Sequence, residues 1–463
     1  MNETEKGKTR YPKKIIASFQ LGSLISLMLN QVFTQQIQYY YQTEVGLDIT
    51  LFTIAMVLYT IFNMFNDPIL GYLCDKSRRL TKRWGKRFPF IVMGAIPWCF
   101  MVIFIFSAPS IAEVGQFGVF VWLLIFICIY DGFFSLFDIN RVALLPDKFR
   151  EEKERKLSGM FQTILETLGI MLGIVVPILI LEFVSGGVGW TLQAVIMASI
   201  TFVFILLMIP GIKEPPDLKE RRSKLDVDAV NFFHGMKQAL RDKNFIGYLS
   251  LYVAYSTTMG LMIASIPFIV DDILELSKIG EIVIIAYIIA VPITAPFWYK
   301  LSYKIGIKKV TLIGGVVLAS MGLPILFMPS GPEGLTWIIL ILFTAGLVDG
   351  AIITMTMPIF SSVVDDATIR TGSRKEGLYN GVFLFFQRVG IAIRSIVFWI
   401  VQIGFGYNPG GPNSELGLFG LRLQVALFPM IIMITGVSLF WMLYSLTSEK
   451  LEENAIKLKE LDL

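Results

Sequence analysis

Ionisable side chains set inside long apolar runs are the residues of this sequence with chemistry to offer. Asp67, Asp131, Asp138, Arg141, Glu166, Asp349, Arg388 and Arg394 all stand in such runs, where a charge is costly unless it faces a cavity or a partner. Asn63, Asn66, Asp67 and Pro68 form the string N-x-x-N-D-P. Asn63 and Asp67, four positions apart, share one face of a helix. Pro68 lacks an amide donor and frees the carbonyl at position 64. Ser135 and Asp138 share a face of a second run. At 1.5 Å per residue, Asp67 lies about 12 Å from Asp75 at the end of its run, Asp138 about as far from Pro146, and Arg388 about 18 Å from Glu376. Two carboxylates and a guanidinium therefore fall in one layer, where opposite charges favour one another. Carboxylate, amide and hydroxyl oxygens suit a small hard cation, and carboxylates alone can carry a proton. The expected cation set is Asp67, Asp138, Asn63, Asn66 and Ser135, with Arg388 as charge partner. The competing reading is a polar cluster that only locks two helices together.

A second set is uncharged. Asn30, Thr34 and Gln38 recur every four residues in the first apolar run, with Gln31 and Gln35 beside them. Such a stripe suits a neutral polyol in a cavity, or serves as glue between helices. The expected solute-binding set is Asn30, Thr34, Gln38, Asp131, Asp138, Gln387 and Arg388. Asp131 and Asp349 either line the cavity or serve packing beside Gly132 and Gly350. Arg141, three residues from Asp138, is expected in a structural salt bridge. Glu166 either lines the cavity or pairs with Arg141. Tyr39, Tyr40 and Tyr41 read as an outer interfacial belt.

The elements that position these groups follow from composition. Of 463 residues, 55% are hydrophobic and only 16% charged, against about 25% in a soluble domain; the mean hydropathy is +0.67. The apolar residues fall in blocks of about 20, enough to cross ~30 Å of hydrocarbon. The pattern predicts an all-α membrane protein with twelve spans, near 15–43, 50–74, 88–107, 117–146, 158–184, 189–212, 244–270, 279–299, 310–329, 336–364, 377–404 and 419–446. The first block is too long for a signal segment and reads as a spanning helix. Of the 40 Lys and Arg, 35 lie in the termini and alternate connections, and only Lys278 lies in an opposite loop. The positive-inside rule then places both termini and the central loop in the cytoplasm of a multi-pass cell-membrane protein. With that distribution the net charge of +4 is no sign of nucleic-acid binding.

The segment 213–243 divides the chain into halves at 1–212 and 244–463. Its second part reads as an amphipathic helix with Val230, Phe233, Met236 and Leu240 on one face; His234 there reads as solvated. The halves repeat. Asp131-Gly132 precedes Asp147 as Asp349-Gly350 precedes Asp365, and Pro68 precedes Lys76 as Pro296 precedes Lys304. Two similar bundles around a midplane site are what a rocking transporter needs. The three cysteines, Cys74, Cys99 and Cys128, have no paired spacing, and one histidine supports neither a zinc site nor a hydrolase. No nucleophile–base pair or phosphate loop appears, so an enzyme and an organic cofactor are not expected.

Several segments carry a family resemblance. NDPILGYLCDKSRRLTKRWGKRFPF (66–90), YYYQTEVGL (39–47), ALLPDKFREEKERKLSG (143–159) and VVDDATIRTGSRKEGLYNG (363–381) resemble, in order, segments of the glycoside–pentoside–hexuronide:cation symporters, the melibiose permease family. The resemblance implies a major facilitator fold of two pseudo-symmetric six-helix bundles. It also implies Na⁺- or H⁺-coupled symport of a sugar or glycoside by alternating access. By position it makes Asp67 the cation-site aspartate, Asn66 its neighbour, Ser135 a hydroxyl ligand, Asp138 the link between ion and sugar, and Arg388 the counterpart of a helix-eleven lysine. Asn63 replaces a second aspartate, Leu27 stands where a sugar-binding aspartate is expected, and 157–184 lacks a basic residue. These departures weigh against galactoside specificity. The expected partners are a small solute, a coupling cation and the bilayer, with the chain working as a monomer. The alternatives are a lysolipid or other amphiphile transporter, and a non-transporting membrane sensor.

Overall fold

In hydrocarbon only a helix or a closed barrel satisfies its own backbone polar groups, and the apolar runs here take the first solution. The structure, a computed structural model, describes residues 11–76, 85, 87–149, 152–214, 232–371 and 376–460, and among them there is no strand. The helices are α1 (Lys13–Tyr39), α2 (Ile49–Lys76), α3 (Phe88–Ile105), α4 (Ile111–Lys148), α5 (Glu152–Phe183), α6 (Gly186–Ile212), α7 (Phe232–Ala239), α8 (Lys243–Phe268), α9 (Ile284–Ile305), α10 (Ile307–Ser320), α11 (Gly334–Thr371), α12 (Glu376–Gln387), α13 (Val389–Phe405), α14 (Glu415–Leu443) and α15 (Ser448–Glu460). Among the described residues, twelve segments are long and apolar enough to cross a membrane. Large apolar side chains such as Phe100, Leu207, Phe297, Met357 and Trp441 stay exposed on their outer faces, an arrangement suited to lipid and not to water.

The chain divides into two compact units, Met1–Leu51 with Ile61–Ala229, and Phe52–Thr60 with Val230–Leu463. Each is held by close helix approaches at small residues, the usual device where helices have no hydrophobic drive to associate. In the first unit a Cβ on Gly169 or Gly173 of α5 would overlap the Leu24 or Met28 carbonyl oxygen of α1. In the second, a Cβ on Gly346 of α11 would lie 2.5 Å from the Tyr287 carbonyl oxygen of α9. The internal repeat reaches local detail: the first span of each half ends in a π-helical turn, Tyr40–Glu44 after α1 and Ile269–Ile273 after α8.

Three details depart from the sequence expectation. Tyr39, Tyr40 and Tyr41 form no outer belt; all three are buried in the first unit. The Tyr41 hydroxyl donates to the Ile105 carbonyl at 2.9 Å, and the Tyr40 hydroxyl accepts from the Ala108 amide at 3.0 Å. Tyr39 and Tyr40 also pack on the Trp190 ring of α6. The eleventh span tightens locally between α12, which ends at Gln387, and α13, which starts at Val389: the Ile391 amide donates to the Arg388 carbonyl, while Arg388 keeps helical φ and ψ of −63° and −27°. Gly390, two residues on, lets α13 approach Thr257 of α8, where a Cβ would lie 2.7 Å from Oγ1. The ninth span ends in a 3₁₀ turn, Leu323–Phe327. Of the amphipathic segment, α7 is present, and Met236 and Leu240 pack on the second unit's core. Val230 and the side chains of Phe233 and His234 lie outside the described residues.

Candidate transport site

The first unit holds two polar clusters. In one, α2 faces α4. Asn63 Nδ2 donates to Asp131 Oδ1 at 3.0 Å, and Asn66 Nδ2 donates to Asp131 Oδ2 at 3.3 Å. Asp131 is 2% exposed; a carboxylate so placed needs donors on its oxygens, and two amides supply them. Ser135, one turn further along α4, is buried, and its hydroxyl has no hydrogen-bond partner among the described residues. Asp67, next to Asn66, is half-buried. The sequence grouped the asparagines with Asp67; the structure sets both on Asp131. Asp131 with the two asparagine amides thus forms a buried polar cluster between α2 and α4, with Ser135 one turn along α4 and Asp67 next in sequence to Asn66.

The second cluster lies further along α4. Asp138 Oδ1 accepts from Arg141 Nη2 at 2.8 Å, from Arg141 Nε at 3.2 Å and from Ser26 of α1 at 3.3 Å. Arg141 Nη1 donates to Ser23 Oγ at 2.9 Å; Ser23 donates to Gln20 Oε1, and Gln20 donates to Ser158 Oγ of α5. Asp138 therefore meets its counter-charge on its own helix, one turn away, and its charge is spent in a network tying α1, α4 and α5 together. Gln20, Ser23 and Ser26 were missed by sequence reasoning. They continue the Asn30/Thr34 stripe toward the start of α1, and that three-residue recurrence was the available signal. Glu166 accepts instead from Gln162 of its own helix, at 2.8 Å. Asn30 and Thr34 are half-buried, as is Leu27 beside them, whereas Gln38 is buried, with Nε2 lacking a hydrogen-bond partner among the described residues.

At the ends of the spans a third group fixes the bundle. Glu214 Oε1 accepts from the Arg87 and Phe88 amides at the start of α3, where a helix leaves donors unmet. Lys148 Nζ donates to the Gly211 carbonyl and, at 2.9 Å, to the Lys213 carbonyl. Burial pulls the Lys148 ammonium down to about 8, against the opposing pull of the Glu214 carboxylate.

The second unit holds Arg388, Gln387 and Asp349. Arg388 sits between α12 and α13, and Gln387 Nε2 lies 3.5 Å from the Tyr252 hydroxyl of α8. Asp349 of α11 is fully buried. Its Oδ2 accepts from Tyr287 of α9 at 2.5 Å and from Tyr255 of α8 at 3.2 Å, and its Oδ1 has no partner among the described residues. The tyrosines were not anticipated, because one hydroxyl in an apolar run leaves no periodic mark. The pseudo-symmetric acids thus differ: Asp131 is held by amides and Asp349 by phenols. A Cβ on Gly132 would meet nothing within 4 Å, whereas one on Gly350 would meet Thr294 Oγ1 at 2.8 Å. Gly350 serves packing and Gly132 does not.

This geometry of twelve spans, an internal repeat and buried polar clusters is matched by comparison with known proteins. The MFS/sugar transport protein family matches residues 18–448. The chain belongs to that family. It is a multi-pass membrane transporter and not an enzyme. The mouse sodium-dependent lysophosphatidylcholine symporter 1 is 22% identical, covering 86% of this chain and 79% of its own length. A putative 2,3-dihydroxypropane-1-sulfonate exporter of Escherichia coli is also 22% identical, covering 95% and 94%. The crystal structure of the nucleoside transporter NupG superposes with a TM-score of 0.62 at 15% identity, covering 92% of this chain and 99% of that one. That last likeness concerns the fold.

Proposed function

We propose that this transporter is a symporter that couples a cation, Na⁺ or H⁺, to the movement of a sugar or sugar-like solute by alternating access. It works as a monomer in the cell membrane with both termini in the cytoplasm. The observation that carries the reading is the acid–amide patch between α2 and α4, where Asn63 and Asn66 sit on buried Asp131 with Asp67 and the unused Ser135 hydroxyl beside it. Such a patch in a spanning helix pair is costly, and ion coupling gives it a use. The half-buried Asn30 and Thr34 supply uncharged hydrogen bonding for the solute, to which the Gln387 amide and the charged Arg388 guanidinium of the eleventh span add donors. The cytoplasmic assignment rests on the distribution of basic residues. The test is counterflow of labelled sugars in proteoliposomes, followed by uptake driven by a Na⁺ or a pH gradient. Exchange of a sugar, with accumulation under one gradient, supports the reading; absence of exchange for every sugar contradicts it. The mouse relative's name favours a second reading, a lysophospholipid substrate, which exchange of labelled lysophosphatidylcholine without sugar exchange would support.

A further inference from the structure

Three of the buried cations among the described residues, Arg141, Arg87 and Lys148, have an acceptor. Arg141 has Asp138, and Arg87 has the Asn140 side-chain oxygen at 3.0 Å. Lys148 has two carbonyls, and the less buried Arg370 and Arg422 have Asp242 with Asp366 and the Ile325 and Met328 carbonyls. Arg394 of α13 has neither carboxylate nor carbonyl among the described residues. It is only 7% exposed, and its Nε is buried without a hydrogen-bond partner. It lies eleven residues from the end of its span at Phe405, roughly 16 Å along a helix, so its head stands deep in the span. An arginine does not escape by losing its proton, and an unpaired charge in such surroundings is among the costliest features a fold can keep.

On α8, Gly260 faces Arg394, and a Cβ there would lie 3.3 Å from Nη1; a larger residue would press on the guanidinium. The titratable group acting on Arg394 is a phenol, Tyr59, in the segment Phe52–Thr60 that packs as part of this unit. Thr53 of that segment donates to the Ser395 carbonyl at 3.3 Å and so fixes the backbone next to Arg394. The guanidinium is held in place with its Nε buried and no carboxylate against it among the described residues, and its planar fork matches an oxyanion.

We infer that Arg394 binds an anionic group of the transported solute, so that the substrate is an organic oxyanion: a polyol or glycoside bearing a carboxylate, sulfonate or phosphate. This rests on the transport reading and narrows it. The solute supplies the charge that the protein lacks, and the cost of burying Arg394 is recovered only when the site is filled.

The test uses the full-length protein in proteoliposomes and in detergent, as wild type, Arg394→Lys and Arg394→Gln. The probes are glucuronate, 2,3-dihydroxypropane-1-sulfonate and glycerol 3-phosphate, with glucose and glycerol as neutral partners. Thermal stabilisation by each probe reads binding, and counterflow reads transport. Wild type should bind at least one anion in preference to its neutral partner. Arg394→Gln should weaken that binding by about 30-fold or more, the usual consequence of removing one side of a buried charge pair, and leave neutral probes unchanged. Arg394→Lys should retain part of it. Which of the three anions is bound distinguishes the oxyanion sources. The inference is overturned if wild type binds none of the three, or if Arg394→Gln binds the anion as wild type does. Should Arg394→Gln fail to fold, Gly260→Val, which crowds the guanidinium without removing it, should weaken the anion and spare neutral probes; equal affinity overturns the inference. Failure of the transport reading looks different: no probe, neutral or anionic, is exchanged, while anion binding still responds to Arg394.

Discussion

Asn63 Nδ2 donates to Asp131 Oδ1 at 3.0 Å, so a side-chain amide of α2 holds a buried carboxylate of α4. Asp131→Leu leaves the Asn63 and Asn66 donors against an apolar group, at a cost of about 1–3 kcal/mol for each unmet group. Asp131→Asn keeps the shape and an acceptor oxygen and should cost less. Melting temperatures in detergent check this, with the leucine variant falling further than the asparagine variant. Equal losses would show that the hydrogen bonds are idle.

The Asp138–Arg141 pair should behave as a unit. Removing one side of a fully buried pair costs about 3–5 kcal/mol. Here the Asp138 side chain is 29% exposed, so Arg141→Met should cost roughly 1–3 kcal/mol after solvent screening. The double variant Asp138→Leu/Arg141→Met should recover part of the loss. Strict additivity of the two single losses would contradict the pairing.

Lys148 gives a pH signature. Its folded value of about 8 lies below its ordinary 10.5. Between those values the unfolded chain holds a proton that the folded chain has released, so this group's contribution to stability rises with pH across that window. Below about 8 both states are charged and the burial penalty stands in full. Thermal unfolding from pH 7 to 10 should show wild type gaining on Lys148→Met over that range. A constant difference would mean that the ammonium titrates normally.

In the second unit, Tyr287→Phe should cost about 1.5–3 kcal/mol, the range for a hydrogen bond to a charged group, and Tyr255→Phe should cost less. Their hydroxyls stand 2.5 Å and 3.2 Å from Asp349 Oδ2. Asp349→Leu should make both tyrosine changes nearly neutral. Tyrosine variants that remain as costly in that background would place their effect elsewhere.

Much of this architecture is legible in the sequence because a bilayer imposes one rule on every span, about 20 apolar residues with the backbone satisfied internally. The N-x-x-N-D spacing put Asn63 and Asp67 on one helix face and grouped Asn66 with them. It did not show which acid lies opposite, since that depends on the rotation and depth of α4, and Asp131 stands there. Arg141 beside Asp138 was readable because the partners lie one turn apart on one helix. The tightened turn at Arg388 was not, because Gln387, Arg388 and Val389 contain no proline to mark it. The tyrosine run misled because its partners, the Ile105 carbonyl, the Ala108 amide and the Trp190 ring, come from segments distant in sequence.

The central claim, cation-coupled transport through the α2–α4 patch, is tested most directly by gradient-driven uptake with Asp67→Asn. The change removes a charge and preserves shape, so the fold should survive. A cation held mainly by charge loses its attraction in a low-dielectric site, and the coupling free energy between ion and solute goes with it. The account predicts that Asp67→Asn loses accumulation under a Na⁺ or pH gradient yet retains counterflow, which needs no gradient. A variant that concentrates solute to wild-type levels, with the same cation dependence, would contradict it.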